Sequence, residues 1–311
     1  MIVLLTGASG FVGKAILKNA QLRGIQIRPA YRSSSSVIGQ SGAALVSGLH
    51  HSTDWSRALQ GIHVVIHTAA RAHVMREELL DPLAEYRRVN VDGTLNLALQ
   101  AAAAGVRRFV FISSIKVNGE ATTIGAPFTA HDPPAPEDAY GLSKAEAEAG
   151  LKQVALETGM ELTIIRPPLI YGPDVKGNFA SLISWIRRSL PLPLASMTQN
   201  RRSLVSLDNL VDLILVCIEH PKAADQTFLV SDGEDLSTTE LLIKIGIALG
   251  KPTRLLWVPS VLFYFMAALF GKKAISQRLL GSLQVDIKKT CELLDWKPPV
   301  SVDEGLRRAV E

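Results

Sequence analysis

The chain has 311 residues, 47% of them hydrophobic and 20% charged, which is enough for about two packed domains and excludes intrinsic disorder. Its 33 basic and 29 acidic residues leave a net charge of only +4, and the basic ones are spread in pairs such as Arg87-Arg88 and Arg201-Arg202, so no nucleic-acid partner is expected. Two cysteines, Cys217 and Cys291, are too few for a disulfide scaffold or a zinc cluster and are expected to be free thiols.

In chain order, Ile2–Thr6 reads as a short strand buried on both faces, Phe11–Leu22 as a helix ended by Gly24, and Ile25–Tyr31 as a second strand. The apolar start at Met1 is too short for a signal-peptide core, so a cytoplasmic chain is expected. Val64–Thr68 and Arg108–Ser113 are further strands. Between them Asp81-Pro82 opens a helical region that runs to about Ala104 and is closed by Gly105. An alanine-rich helix, Ser143–Leu156, precedes the strand Leu162–Arg166 and the breaker Pro167-Pro168. The alternation predicts an α/β fold, a Rossmann-type doubly wound parallel sheet with right-handed crossovers. Beyond Pro167 a series of prolines breaks the pattern, which predicts a smaller, irregular C-terminal lobe. The apolar run Leu255–Phe270, interrupted by Pro259 and followed by Lys272-Lys273, is too short to span a bilayer. It is expected to be a buried or partner-facing helix, with shallow membrane contact as the alternative.

Three constellations carry chemistry. Gly7, Gly10 and Gly13, with Ser9, Phe11 and Val12 between them, lie between a buried strand and a helix. There glycine lets backbone approach a pyrophosphate and the helix amino terminus supplies amide donors. At the end of the second strand Arg32 and Ser33 stand where an acidic residue would bind the ribose of NAD; a guanidinium beside hydroxyls suits a 2′-phosphate, so NADP(H) is favoured over NAD(H). Tyr140 and Lys144 fall one helical turn apart, and an ammonium near a phenol is expected to lower its pKa toward working pH. Ser113-Ser114, at the carboxyl end of a strand, can orient a substrate oxygen.

The motifs Thr6–Gly13, His67-Thr68-Ala69-Ala70, Asn90–Thr94, Ser113–Gly119, Tyr140-Gly141-Leu142-Ser143-Lys144 and Arg166-Pro167 resemble the extended short-chain dehydrogenases/reductases, in their nucleotide-sugar epimerase/dehydratase/reductase family. The resemblance implies Ser114, Tyr140 and Lys144 as a catalytic triad, with Lys144 also holding the nicotinamide ribose and Asn90 behind them. It implies Leu49, Ala69, Ala70 and Pro167 as further cofactor contacts, and Lys116, Asn178, Phe179, Arg202 and Arg278 as contacts to the nucleotide sugar. No acid stands in Val46–His51 to bind adenine, and Ile115-Lys116 replaces the Asp-Glu pair of 4,6-dehydratases.

By the same resemblance, residues 1–166, with 202–231 returning to them, form the dinucleotide-binding domain, and 167–201 and 232–311 the substrate lobe. The run Ile115–Gly119 and the region Leu283–Asp286 are most similar to reductases of UDP-4-keto-6-deoxy-N-acetylhexosamines, which make sugars for surface polysaccharide such as O-antigen. The expectation is therefore an NADPH-dependent C4 reductase of a UDP-activated deoxy-amino sugar, working as a homodimer. An NAD-dependent UDP-hexose or UDP-N-acetylhexosamine 4-epimerase is the alternative, and a nucleotide sensor without catalysis the third reading.

Overall fold

Strand β1 (Ile2–Thr6) is held on both sides by parallel neighbours, β2 (Gln26–Tyr31) and β4 (Val64–His67), with Val3 opposite Val64 and Leu5 opposite Ile66. The computed structural model describes residues 1–32, 42–72, 81–259 and 281–311. From β1 the chain builds outward to β2 and the short β3 (Ala44–Leu45). It then returns to the other side for β4, β5 (Arg108–Ile112), β6 (Glu161–Arg166) and β9 (Gln226–Leu229), giving the order β3-β2-β1-β4-β5-β6-β9. Every pairing in this sheet is parallel. The direction reverses between β1 and β4, and the crevice at the carboxyl ends of such strands is where open α/β sheets bind ligands.

The strands are apolar throughout because both faces are covered. Val3, Leu5, Val64, Ile66, Val110, Ile112 and Ile165 point to one side, under α1 (Phe11–Leu22) and α7 (Leu207–Cys217). Leu4, Val65, Phe109, Phe111 and Ile164 point to the other, under α4 (Gly93–Ala103) and α5 (Ala139–Thr158). This is the doubly wound α/β sheet the sequence predicts.

Two elements differ from the sequence reading. The helical region after Asp81 is α3 (Pro82–Tyr86), a π-helical segment (Arg87–Asp92) and then α4, so one wide turn interrupts the ladder and sets Asn90 inward. Helix α5 starts at Ala139, not Ser143, because the Asp138 side chain accepts the Gly141 N–H at 2.6 Å and caps it there.

After β6 come β7 (Leu169–Tyr171), α6 (Gly177–Arg187) and β8 (Arg202–Ser206). β8 pairs in parallel with β7 and antiparallel with β10 (Asp235–Leu236), forming a separate three-stranded sheet. Tyr171, Phe179, Leu204, Leu242 and Leu306 form a core there among α6, α8 (Thr238–Ala248) and the helix Val302–Val310. Of the segment 202–231, β8 belongs to this small sheet, whereas α7 packs on the large one and β9 joins it. Among the described residues no helix is long and apolar enough to cross a membrane. Most of the apolar run 255–270 lies outside the described residues.

Candidate active site

The glycine loop joins β1 to α1 at the crevice. Gly7 has φ +71°, and a Cβ there would stand 2.5 Å from Thr68 Oγ1; a Cβ on Gly13 would stand 2.1 Å from Gly7 O. The first glycine is thus required by the turn and the third by the close approach of helix to strand. Gly10, at the amino terminus of α1, has no side-chain cap and is exposed, as is Ser9. Open backbone at an uncapped helix start, with no acid in its first turn, fits the pyrophosphate of a dinucleotide. Phe11 and Val12 instead pack against the core.

Around this cradle, Ala69 and Ala70 follow β4 half-buried, and Leu49 is buried where α4 begins, its carbonyl 2.7 Å from where a Gly93 Cβ would lie. Pro167 is buried, and its carbonyl accepts the Ile115 N–H at 3.0 Å. Arg32 is exposed at the end of β2, and Ser33 lies outside the described residues.

The three residues of the expected triad come from two elements. Ser114 follows β5 and its Oγ accepts from Lys116 N at 3.3 Å, capping the 3₁₀ turn Ile115–Val117. Tyr140 and Lys144 occupy the first turns of α5, Tyr140 in edge contact with Tyr86 at 6.0 Å between ring centroids. The Lys144 ammonium donates to Ile112 O at 2.7 Å and sits 4.0 Å from the centre of the Phe111 ring. Burial drives its pKa down to about 7, against the opposing pull of Glu148. The Tyr140 phenol goes the other way: burial pushes it well above its ordinary range, and the negative charge of Asp138 and the neighbouring Tyr86 add to this. The expected lowering of the phenol by Lys144 is therefore not what the protein alone provides, because the ammonium is turned to a carbonyl and an aromatic face.

Behind these residues lies a buried polar layer that includes Asn90 together with Glu148, Arg166 and His67, and to these last three the sequence reading assigns no role. Glu148 accepts Ser113 Oγ at 2.5 Å and pairs with Arg166, which also donates to Asn118 Oδ1 at 2.8 Å. His67 bridges Thr6 Oγ1 (2.6 Å) and Thr94 Oγ1 (2.9 Å), and burial, followed by the charge of Lys144, lowers its pKa to about 3, so it is neutral. Asn90 donates to Ser143 Oγ at 3.0 Å and exchanges hydrogen bonds with the Arg71 backbone, tying the segment after β4 to α5. A readable signal for Glu148 existed: it continues the Tyr140–Lys144 stripe by one more turn.

The expected substrate contacts are more dispersed. The ammonium of Lys116 is held between Glu120 (2.7 Å) and Asp138, so it clamps the 3₁₀ turn after Ser114 to the start of α5. Asn178 is exposed at the start of α6, but the Phe179 ring is buried and stacked on Tyr171 at 5.4 Å; it is a core residue, and only its backbone is left to meet a ligand. Arg202, on β8, is half-buried and donates to Gly281 O at 3.2 Å. Arg278 lies outside the described residues. The described residues bring Ser114, Tyr140 and Lys144 to one crevice and leave Asn178 and Arg202 on the second lobe.

Residues 3–231 match the NAD dependent epimerase/dehydratase family. The chain belongs to that family. Over 99% of its length, and 94% of the relative's, the chain is 50% identical to a Vibrio cholerae protein named UDP-glucose 4-epimerase. Among solved structures, the Thermotoga maritima UDP-glucose 4-epimerase with UDP-glucose matches 100% of this chain and 97% of its own at TM-score 0.79 and 22% identity. The Bacillus cereus UDP-glucuronic acid 4-epimerase in complex with NAD matches 100% and 97% at TM-score 0.80 and 20% identity. The two structures share the fold. The full-length relative at 50% identity overturns the C4-reductase reading, because the chain matches an epimerase from end to end. Both readings name Ser114, Tyr140 and Lys144, so motifs common to the two reactions do not separate them.

Proposed function

We propose that this family member is a UDP-hexose or UDP-N-acetylhexosamine 4-epimerase that works with a retained NAD. The observation that carries the reading is the 50% identity, over nearly the whole of both chains, to a UDP-glucose 4-epimerase. NAD would supply the hydride acceptor for C4–H and return the hydride to the opposite face of the 4-keto sugar, so nothing is consumed. Tyr140, once the positive charge of a bound NAD offsets the burial that keeps the phenol neutral in the protein alone, would take the proton of the C4 hydroxyl as the hydride leaves and give it back as the hydride returns. Ser114 would hold the same oxygen, and Lys144, already fixed at the crevice by Ile112 O, would hold the nicotinamide ribose. Arg202 and the amino terminus of α6 at Asn178 would receive the UDP diphosphate. The buried His67 and the Glu148–Arg166 pair would keep these groups in place. A homodimer is part of this reading, as the resemblance implies.

The test is incubation of the purified enzyme with UDP-glucose, and separately with UDP-N-acetylglucosamine, without added cofactor. NMR should show the C4 epimer, and acid release should recover NAD. Consumption of a 4-keto sugar only when NADPH is added, with no epimer formed, would overturn the proposal.

A further inference from the structure

The second lobe carries a surface that the epimerase chemistry does not use. The end of α6 and the loop after it expose Trp185 and Leu190, and the segment after α8 exposes Leu256 and Trp257; the two indoles are 46% and 72% exposed. Backbone bonds stitch the two stretches together, Leu192 N to Arg254 O at 2.8 Å and Leu256 N to Leu192 O at 2.8 Å, and Lys251 Nζ reaches Arg187 O at 2.7 Å. Arg188 and Arg254 are exposed in the same stretches.

The sequence singles this surface out. Neither 175–200 nor 241–285 contains an Asp or Glu, although the whole chain has 29 acidic residues against 33 basic ones. The acids lie in other segments, so these two stretches contribute only cations, while Glu311 follows the Val310 carbonyl that accepts from Arg187 at the end of α6. Tryptophan, leucine and arginine without carboxylates are the composition of a face that lies on the headgroup layer. Indole and leucine enter the interface there, and guanidinium pairs with lipid phosphate. A protein partner would be expected to meet exposed arginines with carboxylates, and a second copy of this face brings none.

We infer that the face formed by Trp185, Arg188, Leu190, Arg254, Leu256 and Trp257 docks peripherally on an anionic phospholipid surface. The contact is reversible and does not span the bilayer. It leaves the crevice at the carboxyl ends of β1, β4 and β5 to the nucleotide sugar, so it goes beyond the epimerase reading and stands or falls independently of it.

Vesicle flotation and indole fluorescence of the full-length protein test this. The other two tryptophans, Trp55 and Trp296, are buried, so a blue shift on mixing reports Trp185 and Trp257. With vesicles of 70% phosphatidylcholine and 30% phosphatidylglycerol at low salt, the protein should float and its emission shift to the blue. Pure phosphatidylcholine or 0.5 M NaCl should abolish both. The double variant Arg188→Ala/Arg254→Ala should bind roughly thirtyfold more weakly, at about 1 kcal/mol per charge removed. Trp257→Phe should reduce the shift, and all variants should keep their circular dichroism and cofactor content. Equal binding of wild type and double variant, or no flotation with phosphatidylglycerol, would overturn the inference. So would a dimer that Trp257→Ala converts to monomer without vesicle binding, which would assign the face to a second copy.

Discussion

Glu148 and Arg166 face each other as a two-pronged ion pair, Nε to Oε1 at 2.9 Å and Nη2 to Oε2 at 2.5 Å, with both side chains only 2% exposed. The pair ties the helix that carries Tyr140 and Lys144 to β6, and through Ser113 to the end of β5. Desolvating two charges is costly, so the pair is better read as fixing position than as adding net stability.

Removing one partner leaves the other charge buried and unpaired. Glu148→Gln is expected to destabilise the protein by about 3–5 kcal/mol. Urea unfolding at pH 7.5 measures this, and a change below 1 kcal/mol would mean that water reaches the pair.

Tyr140→Phe keeps the ring against Tyr86 and removes only the hydroxyl. Turnover should fall by about 10²–10⁴-fold while bound cofactor stays near wild-type content. Activity within a few-fold of wild type would remove Tyr140 from the proton transfer.

Lys144 makes stability depend on pH. Its folded pKa of about 7 lies below its ordinary 10.5, so between these values the unfolded chain binds the extra proton and stability rises with pH. From pH 7 to 9 the cofactor-free protein should gain about 2 kcal/mol from this group, and below pH 7 the penalty becomes constant. The buried Cys217 thiol, pushed from about 9 up to about 12, acts with the opposite sign, but mainly above pH 9. Urea unfolding at several pH values should show the slope in the wild type and lose it in Lys144→Met.

Lys116→Met would strip the cation from Glu120 and Asp138, leaving Asp138 unscreened beside Tyr140. The phenol should become harder to ionise, moving the rising limb of the kcat–pH profile to higher pH, and Lys116→Arg should restore it. An unmoved limb with lower kcat would reduce the clamp to a packing role.

What could be read from the sequence was local. The strand Ile2–Thr6 and the helix Phe11–Leu22 lie where apolar period and glycine punctuation put them, and the need for Gly7 and Gly13 follows from one turn. What could not be read depends on residues distant in the chain. Arg166 is 18 positions from Glu148, and Ser113 is 35, so an acid on an alanine-rich helix looks like surface until the sheet is assembled. The π segment Arg87–Asp92 hides in the same way, since one extra residue per turn hardly disturbs a helical apolar pattern. Asn178 and Arg202 follow from resemblance alone, and the second lobe that presents them is shaped by contacts among segments far apart in sequence.

The position of β9 has a consequence for dissecting the protein. This strand, which completes the large sheet beside β6, is reached only after the chain has run through β7, α6, β8 and α7. A fragment ending at Arg166 would contain the whole glycine loop and the Tyr140–Lys144 helix, yet it would leave the outer N–H and C=O groups of Thr163–Arg166 unpaired. It would also lose the hydrogen bond from Thr163 Oγ1 to Ala223 O. Such a raw edge invites strand addition by another molecule. A truncated nucleotide-binding half is thus expected to aggregate rather than to behave as a free-standing module.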